Sequence, residues 1–256
     1  MNEKYFQKIL LLNKKEGETP LEALENFRKK NEEYKDVKMT YAGRLDPMAS
    51  GLLLVLAGEE TKNKEKYLDL DKEYEFEVLF GVATDTYDIL GKVLYSKILT
   101  NIRMKELEKE IKTNLKFFTG KFMQKYPMYS SKTVKGKQLF KYARAGADVE
   151  VPEREVFVKE LKFLKLRKIG QKKLLANIKK RIKKVKGDFR QEEILKIWRN
   201  NLTVKHRVFN TMLIASFKIK CSSGTYVRSI ANNLGQKISI PALAFSIKRT
   251  KIGDFT

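Results

Sequence analysis

An α/β (α+β) fold on a mixed, mostly antiparallel central sheet is what this sequence predicts, and three observations point to it. Stretches that alternate polar and apolar residues, or stay apolar for the length of a strand, recur at 5–13, 72–80, 156–165 and 211–220. Stretches with helical spacing lie among them at 20–30, 101–115 and 226–234. The 256 residues are 42% hydrophobic with 15 Phe and 11 Tyr, which is a globular composition large enough to bury a core.

The elements follow in order. Phe6 and Ile9 to Leu12 make 5–13 a strand, and Lys14 to Gly17 a turn. Thr19 is a good helix cap with Pro20 at the first helical position, and Leu21, Leu24 and Phe27 continue at helical spacing to about Lys30. Thr40 to Gly51 is rich in turn residues: Gly43 and Gly51 bracket it and Pro47 interrupts it, so it is a shaped loop. The apolar run Leu52 to Leu56 behind it fits a buried strand or the start of a core helix. Thr61 to Asp69 reads as helix. Lys72 to Phe80 alternates as a half-buried strand does, placing Tyr74, Phe76 and Val78 on one face. Gly81 to Asp88 is a turn, 92–95 a short strand, and 101–115 a helix capped near Thr100. Residues 124–151 are basic and aromatic, and 156–165 reads as strand. From Arg167 to Arg190 Lys and Arg dominate, with Asp188 the only acid, and a helix-like 192–198 follows. Strand 211–220, turn 221–225 and helix 226–234 lead into 245–256. The whole reads as one catalytic domain over 1–256, with a flap at 124–151 and an extra basic insertion at 166–206.

A formal charge of +23 favours a polyanionic partner, nucleic acid before an anionic membrane. No stretch approaches the roughly 18 apolar residues of a spanning helix, and no signal peptide is evident. With one Cys (Cys221) and one His (His206), an intrachain disulfide is excluded, a zinc site is improbable, and a reducing cytoplasm is the expected setting. Both residues read as packing groups. The chemistry falls to carboxylates, tyrosines and arginines.

Three features carry it. Asp46 sits on the shaped loop, where an enzyme would place a nucleophile, although the same residues also suit an ordinary surface turn. Tyr74 sits on a strand. Ser222 to Arg228 is a glycine turn delivering Tyr226 and Arg228 to a helix start. A carboxylate paired with arginine stays charged in a dry pocket, and a tyrosine ring stacks on a splayed-out base. Each of these residues taken singly also suits core packing or a solvated helix face.

In this combination the chain resembles a known family. Tyr41-Ala42-Gly43-Arg44-Leu45-Asp46-Pro47-Met48-Ala49-Ser50-Gly51 is similar to the catalytic motif of the TruB-type tRNA pseudouridine synthases, which make pseudouridine in the T-loop. Lys72-Glu73-Tyr74, the turn Gly81 to Gly91, Pro127 to Lys132 with Gly136-Lys137 and Tyr142-Ala143-Arg144, Gly224 to Ser229, and Ile247-Lys248-Arg249-Thr250 resemble further blocks in the same order, over roughly residues 8 to 253. The resemblance implies the pseudouridine synthase fold with a central cleft. It implies Asp46 as nucleophile, on ribose C1′ or on the uracil ring, with Arg228 holding it charged and aimed. Tyr74 would stack on the flipped uracil with its hydroxyl near the carbon-5 proton. Tyr226 and Ile247, the latter in place of a usual Leu, would line the pocket. Tyr41 stands where the family has His and would wedge into the loop in its place. No metal and no cofactor is called for, and the partner would be the T-arm of tRNA, met by a monomer.

Two other departures matter. The family's Lys-Pro near the N-terminus appears as Lys14-Lys15, and the chain has no room for the family's C-terminal RNA-binding (PUA) domain. The insertion reads as the replacement, with Lys179, Lys180, Arg181, Lys183 and Lys184 joining Lys132, Lys137 and Arg144 of the flap on phosphates. Its bland alternative is a solvated helical hairpin. A synthase acting on another RNA, and a catalytically silent RNA-binding or tRNA-folding protein, are the rival functions.

Overall fold

The computed structural model describes residues 6–97, 99, 103–203 and 211–256. His206, the expected cap at Thr100 and the start of the expected helix at 101 lie outside them.

The chain opens with β1 (Ile9–Lys14) and α1 (Pro20–Arg28), and then β2 (Met39–Ala42) runs through the Asp46 loop into β3 (Ala49–Ala57). α1 begins as its sequence predicts: Thr19 Oγ1 accepts from the Glu22 amide at 3.2 Å, and the Glu22 carboxylate accepts from the Thr19 amide at 2.7 Å. α2 (Lys64–Leu68) precedes β4 (Lys72–Phe80), a small hairpin of β5 (Val82–Thr84) and β6 (Val93–Ser96), and α3 (Met104–Asn114). β7 (Gly120–Lys125) leads to the flap, which holds β8 (Thr133–Val134), β9 (Lys137–Gln138) and α4 (Leu139–Ala145). Next come β10 (Glu153–Gly170), α5 (Gln171–Ile182), α6 (Gln191–Thr203), β11 (Thr211–Cys221), α7 (Val227–Lys237) and β12 (Ala242–Ile252).

One sheet organises these elements, in the order β1-β3-β12-β4-β11-β10-β7, with β2 also on β3. Every pairing is antiparallel except β12 on β3, where Ile247, Lys248 and Arg249 lie opposite Ala49, Ser50 and Gly51. That parallel step sets the end of the chain beside the Asp46 loop. It also explains Gly51, whose φ is +102° and where a Cβ would collide with the Arg249 backbone. The expected mixed, mostly antiparallel sheet is therefore observed. β12 and β7 were not read from the sequence, and β10 extends well beyond 156–165 at both ends.

The pleat separates two cores. Phe76, Val78 and Phe80 of β4 join Leu213, Ala215, Phe217 and Ile219 of β11 beneath α3 and α7. Leu79, Met212 and Ile214 point the other way and meet Leu174, Ile178 and Ile182 of α5 with Ile194, Trp198 and Leu202 of α6. The basic stretch is therefore not a hairpin standing free in solvent. Four-residue spacing puts its apolar side chains on one face of each helix, and this face forms the core of the sheet's second side.

Trp198 is fully buried and donates from Nε1 to the Ile89 carbonyl at 3.2 Å. Trp198→Ala should lower unfolding stability by about 3–5 kcal/mol in urea titrations, because the site has sheet on one side and α5 on the other and cannot collapse. A loss below about 1 kcal/mol would mean that α5 and α6 are not part of the cooperative core.

Candidate active site

Asp46 lies on the tight connection from β2 to β3. Its neighbours Leu45 and Met48 are buried, so the loop is anchored on both sides of the carboxylate. The Gly17 amide donates to the Pro47 carbonyl at 2.8 Å, and the Ala49 amide to the Asp46 carbonyl at 3.0 Å. Arg249 is buried and donates to the carbonyls of Leu52 at 2.7 Å, Arg44 at 3.4 Å and Gly43 at 3.5 Å. A charged side chain from β12 thus binds the loop backbone from beneath.

Arg228, at the start of α7, reaches Asp46 Oδ2 from Nε at 2.8 Å. The Arg228 side chain is 3% exposed and that of Asp46 38%, so the cation is sealed while the carboxylate faces solvent. Nη1 donates to the Thr86 carbonyl at 2.9 Å and Nη2 to the Tyr129 carbonyl at 2.8 Å. Three acceptors on three segments fix the guanidinium plane, which is the use of a rigid fork of donors. Burial works against the Arg228 charge, but the nearby Asp46 and Asp88 carboxylates outweigh it and its pKa is raised.

Asp88 is buried, accepting from Thr86 Oγ1 at 2.7 Å and the Leu90 amide at 2.9 Å. Burial lifts its pKa to about 6, against the pull of Arg228. The Gly81 to Gly91 turn is thus a cage of backbone and carboxylate groups around the arginine. No reading of single residues pointed to Asp88, although the stretch Gly81 to Asp88 was read as a turn.

The aromatic residues are arranged around this pair. Tyr226 caps α7 and is locked by Gln124, whose Oε1 accepts from its amide at 2.8 Å and whose Nε2 donates to its carbonyl at 3.2 Å. Its ring lies 5.7 Å from that of Tyr126 and 5.5 Å from the Arg228 guanidinium. Tyr74, opposite Arg249 in the sheet, is half-buried, and so is Ile247, opposite Phe76 and Ala49. Burial raises the phenols of both Tyr74 and Tyr226. Neutral hydroxyls suit stacking and hydrogen bonding better than proton abstraction as phenolate. Tyr41 faces a separate groove of about 520 Å³, which it lines with Gly43, Arg44, Arg28 and Lys64; Lys64 Nζ stands 5.9 Å from its ring centre.

The expected phosphate contacts fall into two groups. Lys132, Lys137, Lys179, Lys180 and Lys183 are exposed. Arg181 is not available: it is buried, donates to Glu16 Oε2 at 2.8 and 2.6 Å, and packs 4.7 Å from the Phe245 ring centre. Its expected role on RNA is withdrawn for that reason. Lys184 shares Glu16 at 3.3 Å, and Arg144 pairs with Asp188 at 3.3 Å. Among the described residues no three or more His, Cys, Asp or Glu side chains are grouped to hold a metal ion. No described helix is long and apolar enough to cross a membrane.

The fold has counterparts of known structure. A chain from the crystal structure of a Cbf5-Nop10-Gar1 complex superposes with a TM-score of 0.55, covering 97% of this chain and 50% of that one at 18% identity. A chain from an H/ACA RNP bound to a substrate RNA containing 2′-deoxyuridine gives 0.53 at 16% identity, over 97% of this chain and 48% of that one. At such identities the likeness concerns the fold alone. Residues 29–189 match the model of the TruB family pseudouridylate synthase N-terminal domain, and the chain belongs to that family. Three relatives are each called tRNA pseudouridine synthase B. That of Lactobacillus acidophilus is 34% identical over 96% of this chain and 69% of the relative. That of Caldicellulosiruptor saccharolyticus is 32% identical over 96% and 68%. That of Caldanaerobacter subterraneus is 31% identical over 85% and 60%, so the chain spans about three fifths to seven tenths of the length of these three relatives.

Lys14 supplies a pH test of the packing behind the loop. It is fully buried, with Nζ donating to the carbonyls of Lys15 at 3.0 Å and Glu18 at 2.6 Å. Burial pulls its pKa from 10.5 down to about 8. The unfolded chain therefore binds more protons than the folded one between about 8 and 10.5, and this group adds stability as pH rises through that window. The stability difference between wild type and Lys14→Met should shift toward wild type from pH 8 to 10.5; a constant difference would refute the depressed pKa.

Proposed function

We propose that this chain isomerises a uridine in the T-loop of tRNA to pseudouridine. The observation that carries the reading is the contact between Asp46 and a fully caged Arg228, 182 residues apart in sequence, in a member of this family. A carboxylate aimed by a buried cation and left open to solvent on its other side is arranged to attack a ligand. The names of the relatives support tRNA as the substrate.

In this reading the target uridine leaves its stack at a cost of a few kcal/mol and enters beside Asp46. Asp46 adds to ribose C1′ or to the uracil ring. The N1–C1′ bond breaks, the base turns, a C5–C1′ bond forms, and the bond to Asp46 breaks to return the carboxylate; carbon 5 loses its proton and N1 gains one, so the change is an isomerisation without redox. Tyr74 and Tyr226 offer ring faces for the everted base, Ile247 an apolar wall, and Tyr41 a ring to fill the space that the base leaves. Arg228 keeps its three partners throughout and moves no proton. Exposed Lys132 and Lys137 on the flap, with Lys179, Lys180 and Lys183 on the outer face of α5 and its end, bind phosphates of the T-arm.

Asp46→Asn should abolish pseudouridine formation on unmodified tRNA, mapped at single-nucleotide resolution, while RNA affinity changes by less than about threefold. Loss of binding together with activity would make Asp46 a structural residue, and retained activity would remove it from the chemistry. Substituting Lys179, Lys180 and Lys183 together by Gln should weaken tRNA binding and reduce the slope of log affinity against log salt by about 2, at roughly 0.7–0.9 per phosphate contact. An unchanged slope would take α5 out of the RNA interface. Charge removal is the appropriate test, because deleting the helices would expose the sheet's second core.

A further inference from the structure

The turn between α5 and α6 reaches the two segments that hold Arg228. Arg190 stands there with φ +62°, an unusual conformation for a residue with a side chain, and it is half-buried. Its Nη1 donates to Asp85 Oδ2 at 2.7 Å and to the Tyr129 hydroxyl at 2.7 Å. Its guanidinium lies 4.4 Å from the centre of the Tyr129 ring. Asp85 directly precedes Thr86, and the carbonyls of Thr86 and Tyr129 are the two that hold the Arg228 fork. We infer that Arg190 is a positioning residue: it fastens together the two segments whose carbonyls orient Arg228, and so aims Asp46 without touching the substrate.

Other contacts from the same helices point the same way. The Asp188 carbonyl and carboxylate accept from Arg144 of the flap at 2.5 and 3.3 Å. Glu193 pairs with Lys92, next to the turn, at 2.6 Å. Arg181 holds Glu16, whose neighbour Gly17 donates to Pro47 beside Asp46. The α5–α6 hairpin thus touches the Asp85 turn and the flap directly, and reaches the Asp46 loop through the Glu16–Gly17 turn. The Arg190 contact joins charge-assisted hydrogen bonding to a guanidinium over an aromatic ring, a combination in which Arg is not replaceable by Lys without loss.

The inference rests on the proposed isomerase reading, and its test separates the two. On unmodified tRNA at saturation, Arg190→Gln should lower the single-turnover rate by about tenfold or more, the scale expected when a catalytic group is displaced by a fraction of an ångström. The KM for tRNA and the salt slope should stay within about twofold of wild type. Arg190→Lys should recover part of the rate, and Arg190→Gln should cost little further in an Asp85→Asn background, since the two changes remove one contact. A wild-type rate in Arg190→Gln would overturn the inference. So would a loss confined to KM with a shallower salt slope, which would make Arg190 a phosphate contact. Amide hydrogen exchange, which needs no activity, should speed up at both 84–91 and 127–131 in Arg190→Gln and, more weakly, in Tyr129→Phe. Unchanged exchange at either segment would refute the fastening even if the wild-type chain formed no pseudouridine, an outcome that would overturn the functional reading alone.

Discussion

A single buried guanidinium governs the geometry of this molecule. Arg228 is out of water, and a charge so placed is tolerated only when its donors are matched to acceptors. Asp46, Thr86 and Tyr129 meet that demand from three separate segments. The Asp46 loop, the Gly81 to Gly91 turn and the base of the flap are therefore held in one arrangement by the requirement to satisfy one side chain.

The sheet makes this possible at long sequence separation. β3 carries the loop forward, β12 returns in parallel beside it, and Arg249 ties the two through backbone carbonyls. α7 lies on the first core and points its N-terminal Arg228 at the same place. On the opposite face, α5 and α6 cover apolar residues of β4, β11 and β12 that would otherwise meet water. The positive charge of α5, Arg181 with its partner Glu16 excepted, lies on the outer face, so one element serves the core on one side and leaves lysines exposed on the other. Segregation by face lets a strongly basic stretch be structural without burying unpaired charge.

The burial of the tyrosines bears on the division of labour at the site. Tyr74 and Tyr226 are both held neutral by desolvation, with positive charge from Arg249 and Arg228 opposing the shift. The charged partners are few and fixed, and the surfaces left to receive a base are rings. That separation, charge for aiming and aromatic faces for contact, fits the recognition of an everted nucleobase better than the grip of a charged small molecule.

Much was legible from local chemistry. Periodicity located β4 residue for residue, the Thr19-Pro20 pair placed α1, and the glycines and proline around Asp46 marked a shaped loop. The family resemblance, rather than local chemistry, named Asp46 with Arg228, and the structure brings that pair together at 2.8 Å. Charge counting misled at Arg181, because composition does not say which face of a helix an arginine occupies; the four-residue ladder of Leu174, Ile178 and Ile182 held that information. Short-range patterns are set by backbone sterics and side-chain period, and these act within a turn or two of chain. The contacts of Arg190 with Asp85 and Tyr129, the parallel seating of β12 and the cage around Arg228 join residues tens to almost two hundred positions apart. Only the packing of the sheet between its two helical layers could decide them, since nothing local in the sequence tells an arginine which distant carboxylate it will meet.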